Sequence, residues 1–130
     1  MTQEGGMAEM VTALARLPDA QRRTMVRERL EMFAEMPEGQ RKEAMRLMLQ
    51  ALHQLPDPDL YRIVKTRTEI LGDLPEGQRM VLMQTHMGLL QELPDTNRTR
   101  ELLLVMKAVS ELPEDKRKPF EMLKMLMKGM

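Results

Sequence analysis

The chain has 130 residues, with 20 Lys+Arg balanced by 20 Asp+Glu, 16 methionines, and neither cysteine nor tryptophan. The balanced charge argues against nonspecific nucleic-acid binding and against an anionic membrane surface, both of which select an excess of Lys and Arg. Without cysteine there can be no disulfide, thiolate metal site or thiol nucleophile.

The apolar content of 42% and charged content of 31% suit one folded domain spanning residues 1–130. The N-terminal stretch MTQEGGMAEM carries acids and has no apolar leader core. It is therefore expected to leave residues 1–6 flexible, with no export signal and a cytoplasmic location. The first helix is expected from about Met7 to Arg16. The longest apolar run, Leu102 to Met106, is far too short to cross a membrane.

From residue 17 onward the chain is metered. Leu17-Pro18-Asp19, Met36-Pro37-Glu38, Leu55-Pro56-Asp57, Leu74-Pro75-Glu76, Leu93-Pro94-Asp95 and Leu112-Pro113-Glu114 recur at a constant step of 19 residues. Proline lacks an N–H and disfavours helix in the residue before it, yet suits the first turn of a helix. The acid that follows lies at the positive end of the new helix dipole. Three residues after the acid stand Arg22, Arg41, Arg79, Arg98 and Arg117, within reach on the same face, whereas the third copy has Leu60. The acids alternate Asp and Glu, so the larger unit reads as a 38-residue pair.

Between these turns, apolar residues step by four and three: Val26, Leu30, Phe33; Met45, Leu49, Leu52; Met83, Met87, Leu90; Leu102, Met106, Val109. That spacing marks one helix face. The third copy places Thr68 between Val64 and Leu71. A neighbouring column of Met32, Ala51, Ile70, Leu89, Ala108 and Met127 widens the stripe. Pro58 predicts a bent or shifted third turn, and Pro119 a restarted last helix. Segment 112–130 therefore reads as an atypical capping repeat. The expected architecture is all-α: a short right-handed α-solenoid of about seven antiparallel helices, with a compact helical bundle as the alternative.

Leu74-Pro75-Glu76-Gly77-Gln78, nearly repeated at 36–40, is similar to the Leu-Thr-x-x-Gln element of Spy-type periplasmic chaperones, with Pro in place of Thr. The resemblance implies a small all-helical protein that holds apolar clients, and it assigns no residue a role.

Enzymatic constellations are scarce. Ser110 is the one serine, His53 and His86 are the two histidines, and no Gly-rich phosphate loop occurs. No catalysis and no cofactor are therefore expected. The Arg column is matched by acids and has few aromatic neighbours, which argues against RNA. Methionine is the unusual resource, because flexible thioethers adapt to varied apolar partners. The expected function is a noncatalytic protein-interaction or scaffold module with a Met-rich groove or C-terminal surface. Its candidate contacts are Tyr61 and Arg62 in the irregular third repeat and Met122, Met125, Met127 and Met130 at the end. The expected partner is another protein or peptide, or a second copy of the chain. A holdase-like or self-associating protein is one alternative. The other is a Cu(I) site built from Met80, Met83, His86 and Met87, soft ligands at helical spacing.

Overall fold

A computed structural model describes residues 3–121, and these form six α-helices and two short 3₁₀ turns with no strand among them. The helices are α1 (Gln3–Arg16), α2 (Asp19–Glu35), α3 (Glu38–Leu52), α4 (Asp57–Asp73), α5 (Glu76–Leu90) and α6 (Asp95–Ser110). The 3₁₀ turns Glu114–Lys116 and Lys118–Phe120 follow. The first helix thus begins earlier than Met7. The rest of the expected seventh helix, including Met122, Met125, Met127 and Met130, lies outside the described residues.

Five of the six metered prolines do the same job, while Pro113 precedes a 3₁₀ turn. Pro18, Pro37, Pro56, Pro75 and Pro94 each precede a helix in an extended conformation, with φ of −52, −56, −59, −53 and −54°. Each proline carbonyl accepts the N–H four residues on, so the missing donor costs nothing while the acceptor closes the first turn. Pro56 is no different, and α4 takes Pro58 in its first turn without a bend, contrary to the shifted turn expected there. The residue before the proline is an anchor: Leu55, Leu74, Leu93 and Leu112 are all buried. Burying each leucine stabilises by about 1.5–3 kcal/mol.

The recurrent arginine has a structural use beyond its acid. Arg22, Arg41 and Arg79 each donate through Nη1 to the carbonyl just before their own proline, at 2.8, 2.8 and 3.1 Å from Leu17, Met36 and Leu74. Arg117 does so through Nε to Leu112 at 2.9 Å. Each of these carbonyls falls beyond the regular ladder of its helix, and the guanidinium supplies the partner. In the third turn, where Leu60 replaces the arginine, Arg100 arrives from α6 instead. Its Nη2 and Nη1 reach the Leu55 and His53 carbonyls at 2.5 and 3.1 Å, and its Nε reaches Asp57 at 2.6 Å. A local lock is replaced by a long-range one. Changing Arg100→Ala should therefore cost about 2 kcal/mol, against about 1 kcal/mol for Arg79→Ala, because several charge-assisted bonds are lost together. Chemical denaturation of the two variants checks the order, and equal losses would remove the special role of Arg100.

The main packing partners are not sequence neighbours. α1 packs on α3 and α4, α2 on α4 and α5, α3 on α5, and α4 on α6. The largest buried cluster joins Val11 and Ala15 of α1 to Leu52, Leu60, Ile63 and Val64, and reaches Ala108 of α6. A second cluster unites Val26, Leu30 and Phe33 of α2 with Ile70, Leu74 and Leu82. Thr68 is buried in its apolar column because its hydroxyl donates to the Val64 carbonyl at 2.8 Å. Two column members differ from expectation: Met32 and Met106 stand 43% and 44% exposed, on outward edges of α2 and α6. Phe120, just after Pro119, is buried beside Val109 and Leu112. No described helix is long and apolar enough to cross a membrane.

Candidate functional site

The two histidines of the chain converge on one carboxylate. Glu101, in the middle of α6, has no exposed surface. Its Oε1 lies 2.9 Å from Nε2 of His53, which caps the C-terminus of α3, and its Oε2 accepts a hydrogen bond from Arg67 of α4 at 2.5 Å. His86 Nε2 of α5 lies 3.1 Å from the same Oε2, but off the direction a hydrogen bond requires. Four helices thus meet at one buried acid. Burial pushes the Glu101 carboxyl up, but the charge of Arg67 and the contacts of His53 and His86 outweigh this and hold it well below the usual range. Because Glu101 is sealed from solvent, it reaches no solute. Only Arg67 and His86 present surface outward.

That surface is a pair of small apolar cavities, of about 70 and 50 Å³. Both are bordered by Leu30, Met45, Arg67 and His86. The first continues along Met48, Phe33 and Leu14 to Arg29, and the second along Met83, Met87 and Leu102 to Phe120. The lining follows one sequence column: Arg29, Met48, Arg67, His86 and Val105, each twelve residues past its Leu or Met before proline. At the mouth of the first cavity, Arg29 Nη2 lies 3.3 Å from the sulfur of Met10. Met10 in turn borders an open cleft of about 570 Å³ between α1 and α3, lined also by Met7, Leu47 and Gln50. One residue of the cleft, Met10, thus touches one residue of the first cavity, Arg29.

The residues singled out in the sequence fall elsewhere or are already engaged. Tyr61 and Arg62 border a separate polar cleft of about 770 Å³ with Arg16, Asp19, Arg22 and Glu69. The Tyr61 hydroxyl donates to Glu111, and Lys107 sits 4.4 Å from its ring centroid. Burial, then the Glu111 bond, raises the Tyr61 hydroxyl above its ordinary range. Arg62 pairs with Asp59 at 2.8 Å. Among the proposed copper ligands, Met83, His86 and Met87 share the second cavity, while Met80 is 44% exposed and does not line it. Among the described residues, no group of three His, Cys, Asp or Glu is placed to hold a metal ion.

Sequence reasoning missed the Glu101 cluster, yet a signal was present. Glu101 occupies a column whose other members are Met25, Ala44, Ile63, Leu82 and Phe120, so it is one acid among apolar residues. An acid in a core column needs a buried cation and hydrogen-bond partners, and Arg67 and His53 supply them. The sequence matches no known family model, and comparison with curated proteins and with solved structures gives no match.

Proposed function

We propose that the chain is a short right-handed α-solenoid acting as a noncatalytic docking module, whose Met-bordered cleft takes an apolar segment of a partner protein. Stacking of each helix on the second one along supports the solenoid: α1 on α3, α2 on α4, α3 on α5, α4 on α6. Corresponding bonds 44 residues apart, Arg22 to Thr66 and Arg41 to Thr85, fit a repeated interface. The observation that carries the docking role is the open α1–α3 cleft bordered by Met7, Met10 and Leu47, whose Met10 contacts Arg29 at the edge of the first apolar cavity. Its open part lies in the size range of ligand-binding clefts, and its methionines can repack around a segment that lacks one fixed shape.

Panning a peptide-display library on the protein tests this reading. The expected result is enrichment of amphipathic apolar peptides whose binding falls at least about tenfold in Met10→Gln and Leu47→Gln but not in Met80→Gln. Met80, 44% exposed against 41% for Leu47, lies outside the cleft. Peptides that bind all three variants alike, or no enrichment at all, would overturn it.

A further inference from the structure

The first cavity carries at its edge a charge with no ion-pair partner among the described residues. Along the cavity column, Arg67 has Glu101 as its acid, and His86 faces the same carboxylate. Arg29 has neither. Its Nη2 donates to the Met10 sulfur, a weak acceptor, and no ion pair among the described residues includes it. Its own helix offers no acid within reach, since the positions three and four residues away are Met25, Val26, Met32 and Phe33. Met25 and Met32 stand 46% and 43% exposed on either side of it. A half-buried guanidinium thus sits between apolar side chains, at the mouth of a cavity whose 70 Å³ suits a single side chain better than a drug-sized molecule.

We infer that the partner segment carries a carboxylate beside its apolar anchor, the anchor filling the cavity while Arg29 takes the carboxylate. The inference rests on the docking reading and names the chemistry of its partner. A guanidinium with part of its water removed gains more from a two-point bond to a carboxylate than an exposed one does, and it repels a lysine in the same place. Methionines and the cavity then supply affinity, and Arg29 supplies the choice between acidic and basic partners. Glu101 cannot quench Arg29 in this way, because its two oxygens are already held by His53 and Arg67.

Two synthetic amphipathic helical peptides, identical except for Glu or Lys beside a leucine anchor, provide the test when titrated into the full chain by fluorescence anisotropy. Wild type should prefer the Glu peptide by about tenfold, and added salt should shrink the difference. Arg29→Gln should abolish the preference, and Arg29→Glu should reverse it toward Lys. Equal binding of both peptides to wild type, or a preference unchanged in the Arg29 variants, overturns the assignment and leaves the docking reading standing. Failure of both peptides to bind overturns the two together.

Discussion

Glu101→Ala should lower stability by about 3–5 kcal/mol, because it strands the largely buried Arg67 guanidinium with no acid beside it. Domains of this size have about 5–15 kcal/mol in total, so this one side chain commands a large share. The corresponding fall in melting temperature is roughly 10–20 °C. Glu101→Gln keeps the shape and one acceptor, and should lose about half as much. The sign of the pH dependence follows from the lowered carboxyl. A carboxyl held low in the folded state stabilises above its ordinary titration range, and that stability is lost as pH falls toward its folded-state value. Wild type should therefore weaken in acid more steeply than Glu101→Gln. Glu92 and Glu111 are also held low, by hydrogen bonds from Arg46 and Tyr61, but they remain in both proteins and cancel in the difference. Thermal melts followed by circular dichroism across the acid range decide the matter. Parallel acid limbs would show that Glu101 is not the titrating anchor.

Leu60→Arg is the second large effect, and it runs against the apparent logic of the repeat. Aligning the six turns suggests that an arginine is missing from the third and that restoring it would help. Leu60 has no exposed surface and belongs to the largest buried cluster, with Val11, Ala15 and Leu55. A cation there would find its natural acid, Asp57, already held by Arg100. Burying an unpaired charge should cost more than about 4–5 kcal/mol, enough to prevent cooperative folding. Leu60→Ala should cost about 2–5 kcal/mol through the cavity it leaves. A Leu60→Arg protein melting within a few degrees of wild type would mean that Arg100 does not substitute for the absent arginine.

These two residues mark what a linear reading can and cannot reach. The prolines, the acids after them and the four-and-three spacing are local signals, acting within one turn of the chain. They were enough to place the starts of the five helices α2 to α6 and the inward face of α2, where Val26, Leu30 and Phe33 are all buried. Pro58 looked like a disturbance because proline usually ends helices, but its position in the first turn of α4 makes it harmless. Met32 and Met106 looked like core because they share columns with buried residues. Their exposure depends on where α2 and α6 run out of neighbours, which no local spacing encodes.

By itself, the sequence determined that the chain is cut into helices of similar length, where α2 to α6 begin, and which stripe turns inward, since those follow from proline stereochemistry and helical periodicity. Only the tertiary structure decided that Glu101 gathers His53, Arg67 and His86, that Arg100 serves another helix's turn, and that Arg29 has no acid partner among the described residues. Such pairings join residues on different helices. They are set by which helix stacks on which, and burial then makes each charge either matched or costly.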